Sequence, residues 1–439
     1  MRLPISWALL SLGVLGLGTV GASSIGCGGS TKAGGSSDAG AAADTDMNAA
    51  DTESAQDAPP AMEAAPPPQG YPATHPAMPT VANLGGPVVA APKFIPVTFT
   101  VVPADPFVSQ IQDFMSKVGA TSYWAGNVAE YGVGPATGET PIEISTMPFT
   151  SNPVDDTAIA SWVAQAVASN VLPAYDSNTV YVLFMPPGLS VTLQGATSCD
   201  AFGGYHSETP LAMAAAPYAV IPRCANDFGD LSGIDVVTGA ASHELIEATT
   251  DPFPDSNPAY AQVDNKDFGW EIGLGGGEVA DMCAQNTDAF FKPSGFEYTV
   301  QRTWSNKAGK ASQDPCIPSQ GGTYFNSAPV MPDTFSLNIG EPITVSGLKL
   351  AVGQSATIPV DLYSDSDTPA WFVGVQDSAA LMGGAPELDL KLNKTSGANG
   401  DQLQLTIKVL TAGQFGLETF VLSSGATQQN LWVGTVSSQ

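Results

Sequence analysis

Apolar and polar positions follow two rhythms in this chain, and the change falls near residue 325. On the N-terminal side, compact apolar runs alternate with stretches of helical period. Phe94-Ile95-Pro96-Val97-Thr98-Phe99-Thr100-Val101 is rich in β-formers and predicts a strand. Pro106 to Val118 predicts a helix with Phe107, Ile111 and Phe114 on one stripe. Asp155 to Val171 predicts another, with Ile159, Trp162, Val163 and Ala166 inward. Thr179 to Phe184 reads as a buried strand stopped by Pro186-Pro187-Gly188, and Tyr218 to Pro222 as a further short one. Phe296 to Ser305 alternates and predicts the last strand of the region. Strands interleaved with helices imply a mixed α/β layer domain over residues 93–325.

From Asn326 the period becomes two. Leu388-Asp389-Leu390-Lys391-Leu392 and Leu403-Gln404-Leu405-Thr406-Ile407-Lys408-Val409 alternate cleanly. Thr357–Tyr363, Trp371–Val375, Glu418–Leu422 and Leu431–Val436 repeat the pattern between turn residues. Residues 326–439 therefore predict an immunoglobulin-like β-sandwich. It has no Cys and no His, and its expected role is a spacer or binding module.

Residues 28–92 show neither rhythm. They are mostly Ala, Gly, Ser, Pro and Asp, with too little to bury, and predict a disordered tether in which His75 is solvated. Residues 1–27 carry Arg2, an apolar run from Ala8 to Val20, then Ser24-Ile25-Gly26-Cys27. That order describes an export signal. A Cys after small residues further resembles a bacterial lipoprotein signal lipidated at Cys27; Ser24 stands where Leu is usual, and an ordinary signal peptide is the alternative. No later stretch reaches the ~20 apolar residues of a membrane span.

Composition narrows the partners. The formal net charge is −28, from 14 Lys and Arg against 42 Asp and Glu. No basic footprint exists for nucleic acid, and an anionic membrane surface would repel the chain. The expected partners are a protein, a peptide or a cell-surface polymer, with membrane attachment only through a lipid at Cys27, and the expected state is monomeric. The location expected is the cell envelope, or the medium. Setting Cys27 aside leaves Cys199, Cys224, Cys283 and Cys316, an even set that reads as disulfides in an exported protein. Loop length favours the local pairs Cys199–Cys224 and Cys283–Cys316.

The chemistry concentrates in Ser242-His243-Glu244-Leu245-Ile246-Glu247-Ala248-Thr249-Thr250-Asp251-Pro252, which holds one of three histidines in 439 residues. Ser232 caps a predicted helix here, with Asp235 in its first turn, and Pro252 and Pro254 stop it. Ile234, Val237, Ala241, Leu245 and Ala248 form its core stripe. His243 and Glu247, four apart, share the opposite face and point to a cleft or solvent. Zinc peptidases place two ligands at that spacing, with the intervening Glu as general base. Zinc accepts carboxylate as well as imidazole, and wants about three protein ligands. The third comes from Glu278, Asp281 or His206; His206 lies in the Gly-rich stretch Cys199 to Ser207, read as a loop. Each carboxylate in the set makes Ca²⁺ or Mn²⁺ a stronger alternative to Zn²⁺. Solvated acids on an exposed helix are the plain alternative.

Several motifs occur together: the Ser242–Pro252 stretch, Gly269-Trp270, Glu278-Val279-Ala280-Asp281-Met282-Cys283, Val300-Gln301-Arg302-Thr303-Trp304-Ser305, and upstream Cys199 with Gly204-Tyr205-His206-Ser207. In this order they resemble the core of the EXORDIUM/phosphate-induced protein family over residues 93–320. That family includes extracellular plant proteins linked to growth. The resemblance implies an α/β (α+β) zincin-like mixed sheet with an active-site helix. It selects His206, His243, Glu244, Glu247, Glu278 and Asp281 as the site, with Glu278 in the place of the third ligand. The expectation is a zinc-dependent metallopeptidase-like hydrolase with Glu244 as general base. The rival is a non-catalytic cell-surface binding protein whose metal is structural.

Overall fold

In the computed structural model, which describes residues 70–224, 231–319, 321–339, 342–427 and 429–439, the apolar runs near 94, 180 and 218 form the middle of one sheet. The signal and lipidation segment, and the tether as far as residue 69, lie outside the described residues. The strands are β1 Lys93–Phe99, β2 Thr137–Gly138, β3 Ile142–Ile144, β4 Thr179–Phe184, β5 Tyr205–Pro210 and β6 Ala215–Ile221. Their order is β2-β1-β4-β6-β5, with β3 also pairing along β1. All pairs are parallel except β5, which runs antiparallel to β6 at the edge. Parallel strands are covered on both faces, which is why β4 is buried at every position and reads as one apolar run.

Helices α1 Val108–Lys117, α2 Ser122–Val128, α3 Asp156–Ala168 and α4 Ile234–Thr250 supply the covering layers. Phe94, Val180, Val182, Ala219 and Ile221 face α4, α1 and α2. Ile95, Val97, Tyr181, Leu183 and Val220 face α3, whose Ile159, Val163 and Ala166 point inward as predicted. The stretch read as a loop before Ser207 contains the start of β5. Its polar residues hide a strand because side chains alternate between two buried environments. Tyr205 goes to the α3 face, where its hydroxyl donates to Asp156 (2.7 Å), and His206, opposite Ala219, goes to the α4 face.

Ten further strands form two sheets of sandwich type. β7 Phe325–Pro329, β8 Asp333–Asn338, β9 Pro342–Lys349 and β10 Ser355–Ser364 lead the series. β11 Trp371–Asp377, β12 Leu388–Leu392, β13 Ser396–Gly397, β14 Gln402–Val409, β15 Leu417–Ser424 and β16 Asn430–Ser437 complete it. One sheet is ordered β7-β10-β14-β12, the other β8-β9-β16-β15-β11-β13. β14 alternates between exposed and buried positions, as its sequence predicts. β7, β8 and β9 escape the sequence pattern.

The change of rhythm at 325 is not a gap in the packing. The described residues fall in one compact unit, and one apolar cluster runs from the α/β layers into the sandwich. Helix α5 Gly269–Leu274 lies against β15 and β16. A Cβ on Gly269 would stand 1.8 Å from Thr435 Oγ1, and one on Gly273 2.7 Å from Val433 Cγ1, so two glycines four apart let the helix reach the strand. Trp270, between them, meets Trp304 and Trp432 edge-on.

The last third of the expected tether is ordered too. Val81–Ala82 pairs antiparallel with Gln262–Val263, and Ala73, Met78, Val81 and Val89 are buried. His75 is not solvated: its ring stacks on Tyr363 with centroids 3.6 Å apart and its Nε2 lies 2.9 Å from Ser312 Oγ. Scattered apolar residues in an extended, Pro-rich stretch bury themselves without leaving a period to read. Both expected disulfides, Cys199–Cys224 and Cys283–Cys316, are present, which fits an oxidising, extracellular environment. Among the described residues no helix is long and apolar enough to cross a membrane.

Candidate metal centre

Helix α4 begins at Ile234, with Gly233 at its N-cap in place of Ser232. Ser232 contributes through its carbonyl, which accepts from the Asp235 N–H (3.2 Å). The helix ends at Thr250, just before the prolines, as predicted. Its predicted outer face is not outside. Every residue from Val236 to Thr250 is buried. Three of its hydroxyls help by bonding back along the helix: Ser242 to the Gly239 carbonyl (2.7 Å), Thr249 to Leu245 (3.0 Å) and Thr250 to Ile246 (2.9 Å). The charged groups have no such outlet and meet one another.

His243 and Glu247 share a face, and their Nε2 and Oε2 atoms approach to 3.0 Å without hydrogen-bond alignment. Asp281 Oδ1 lies 3.5 Å from the same nitrogen. Asp281 opens the short helix α6 Asp281–Ala284, which the Cys283–Cys316 disulfide anchors. The N–H groups of Ala280 and Asp281 donate to Glu247 Oε1 (3.2 and 3.1 Å), leaving Oε2 to face the histidine. Gln301 fixes that imidazole. Its Nε2 donates to the Ala280 carbonyl (2.8 Å), so its Oε1 must be the atom 3.0 Å from His243 Nδ1. Nδ1 therefore carries a hydrogen, and in the neutral ring the Nε2 lone pair points at Glu247 and Asp281.

His206 repeats this logic from β5. Its Nε2 donates to the Asp251 carbonyl (3.1 Å), which can only accept. Nδ1 then faces Glu244 Oε2 at 3.8 Å, Glu247 Oε2 at 3.7 Å and Glu278 Oε2 at 3.7 Å. Gly204 makes room for this, since a Cβ there would fall 2.6 Å from Glu244 Oε1. Asp251 Oδ1 accepts from the Ala259 N–H (2.6 Å). All six residues read from the sequence thus converge. Asp281 joins His243 and Glu247, and Glu278 joins His206 and Asp251.

The donor atoms fit an ion. His206 Nδ1, His243 Nε2, Glu244 Oε2, Glu247 Oε2 and Asp251 Oδ2 are buried and lack hydrogen-bond partners, whereas buried polar atoms are ordinarily paired. Ligands bound at about 2.1 Å in a tetrahedron stand about 3.4 Å apart, close to the spacings here. Without a cation, protons must fill the centre. Burial opposes charge on His243, but the Glu247 and Glu244 carboxylates outweigh it and lift its pKa well above the usual range. His206 is raised by the same contest, with Glu244 and Glu247 beside it. Burial, then the neighbouring Glu247 and Asp251, hold Glu278 well above the usual carboxylate range. Burial works the same way on Glu247, but His243 more than reverses it and its pKa falls. Buried His, Glu and Asp groups able to hold a metal ion are therefore present.

A cleft of about 380 Å³ opens onto His243, Glu244 and Asp281. Phe202, Gly204 and Gln301 line it from the α/β side, and Gln376, Leu381, Val421 and Ser423 from the sandwich. A separate cavity of about 250 Å³ reaches His206 and Glu278, with Asp155, Asp156 and Asp255 in its walls. Gln301 and Asp251 join the centre without having been legible as part of it in the sequence. Both sit inside motifs already singled out, but no spacing or period marks either as part of the centre.

A buried mixed imidazole–carboxylate centre beneath a cleft is the class of site this fold defines. No protein-family model matches the chain, and no curated protein does. Among solved structures, the surface layer protein SbsC, domains 1–6, is 16% identical over 28% of this chain and 17% of that one, with a TM-score of 0.16. A Bacteroides ovatus GH5 xyloglucanase bound to a heptasaccharide is 15% identical over 24% of this chain and 19% of that one, at 0.14. A chimeric titin Z1Z2 is 15% identical over 24% of this chain and 96% of that one, at 0.15. The chain spans less than a fifth of the first two structures, and likenesses this slight carry no argument about it.

Proposed function

We propose that the chain is an exported, zincin-like metallopeptidase of the EXORDIUM/phosphate-induced type. His243, Glu247 and Asp281 hold a divalent cation, Zn²⁺ in the first instance with Mn²⁺ or Ca²⁺ as alternatives, and Glu244 is the general base. The observation that carries this is His243 Nε2, oriented by Gln301 and facing the Glu247 and Asp281 carboxylates beside the cleft. The antiparallel edge strand β5 beside the ligand helix supports the zincin-like reading.

A cation there would polarise the substrate carbonyl and lower the pKa of water. Glu244, in the cleft wall, takes the proton from the attacking water and passes it to the leaving amine. Burial raises the Glu244 pKa, with His243 and His206 working against it, which suits a group that must both accept and release a proton. Gln301 keeps His243 in the ligating tautomer. The cleft, walled partly by the sandwich, takes the peptide or cell-surface polymer.

Metal content of the purified protein and hydrolysis of a mixed peptide library, for wild type and Glu244→Gln, test the reading. Bound metal with turnover in the wild type, lost on substitution, is expected. Protein without transition metal would sink the enzyme; bound metal with equal or absent turnover in both would point to a surface binding protein with a structural ion. An acyl group on Cys27, read by mass spectrometry, tests the lipid anchor.

A further inference from the structure

We propose that the centre holds two cations, the second bounded by His206, Asp251 and Glu278, with Glu247 Oε2 shared between them. The inference rests on the reading that His243, Glu247 and Asp281 hold the first.

Three independent observations lead there. The first is the tautomer of His206. Its Nε2 hydrogen is committed to the Asp251 carbonyl, so a neutral ring turns a lone pair toward three carboxylate oxygens 3.7–3.8 Å away. Lone pair against carboxylate is repulsive, and the separations are too long for hydrogen bonds but suited to ligands around a common ion. A single cation beside His243 leaves this second nitrogen to a proton that reaches no hydrogen-bond partner.

The second is charge. Glu244, Glu247, Asp251, Glu278 and Asp281 are all buried, and among the described residues no Lys or Arg pairs with Glu244, Glu247, Asp251 or Asp281. Counting only Glu244, Glu247, Asp251 and Asp281, four carboxylates against one dication leave a net charge of −2 in a buried centre; a second brings it to zero. The third is access. His243 and Asp281 open to the cleft, whereas His206 and Glu278 line the other, acidic cavity, so each donor set has its own route to solvent. One nitrogen among carboxylates suits Zn²⁺ or Mn²⁺, with an oxygen-rich balance that favours Mn²⁺ more than the first set does.

The test is stoichiometry on the full chain, stripped with chelator and dialysed against buffered Zn²⁺ or Mn²⁺, with bound metal measured by mass spectrometry. Two equivalents are expected in the wild type, falling to one in His206→Gln and in Asp251→Asn. Saturation at one equivalent that survives His206→Gln and disappears in His243→Ala overturns the second site and leaves the proposed hydrolase intact. No bound metal removes both. Mn²⁺ electron paramagnetic resonance of the wild type answers without any variant: an exchange-coupled multiline signal supports the pair, and an isolated six-line signal at saturation overturns it.

Discussion

Gln301 touches no ion in the proposed centre, yet the orientation of His243 passes through it. Gln301→Leu keeps the bulk and removes two buried hydrogen bonds, the 3.0 Å one to His243 Nδ1 and the 2.8 Å one to the Ala280 carbonyl. Losing the partner that orients a ligating histidine costs about 10–100-fold in metal affinity, or about 1.4–2.7 kcal/mol. The stability of the metal-free protein falls as well, by about 2–6 kcal/mol, since each of the two buried groups left unmatched costs about 1–3 kcal/mol. Competition with a chromogenic chelator reads the first quantity and urea unfolding of metal-free protein the second. Gln301→Glu separates them: it keeps the acceptor for Nδ1 but loses the donor to Ala280, so metal affinity recovers more than stability does. Wild-type affinity in Gln301→Leu would refute the tautomer argument, and with it the assignment of His243 Nε2 as a ligand atom.

Arg302 is fully buried between Asp288 and Asp314 and also donates to the carbonyls of Cys316 and Pro318. Arg302→Met should cost about 3–5 kcal/mol in urea unfolding, and a loss under about 1 kcal/mol would show that the cluster is not a stabilising element. Gly269→Ala should cost about 1–3 kcal/mol through overpacking against Thr435, with more than half recovered in the Gly269→Ala/Thr435→Ala double variant; a double variant as unstable as the single one contradicts the close approach. Burial, reinforced by Asp264, pushes the Asp267 carboxyl up to about 6. A raised carboxylate stabilises most when protonated in both states, so stability should be highest below about pH 4 and decline until the pH passes about 6. Asp267→Asn should flatten that slope, and an unchanged slope would assign it to other groups.

The residues show how far a one-dimensional pattern reaches. His243 and Glu247 were legible as partners because the helical period alone sets their distance. The strands of the sandwich were legible wherever polar and apolar positions alternate between water and core, as in β14. Where both faces are covered the rule fails. Helix α4 is buried all round, and its polar positions carry no sign of exposure because the hydroxyls of Ser242, Thr249 and Thr250 are satisfied within the helix. β5 has the same difficulty. His206 was visible as chemistry, but its strand was not, and only the sheet brings it over Glu247. The division of labour between Asp281 and Glu278, three residues apart, depends on where a short turn stops and α6 begins, which no period encodes. Residues 70–92 were illegible for a simpler reason, since extended chain that packs singly placed side chains has no repeat.

The two disulfides have a further consequence. Cys199 stands seven residues before His206 on the chain, and Cys283 two after Asp281, so each bond ends beside a donor that does not belong to the long helix. In a reducing compartment the loop before β5 and the turn carrying Asp281 would each lose a covalent tie, while His243, Glu244 and Glu247 stayed together on α4. A chain made in the cytosol and finished outside would thus acquire its full donor set only after oxidation. Oxidation, and not folding of the long helix alone, would then complete the centre.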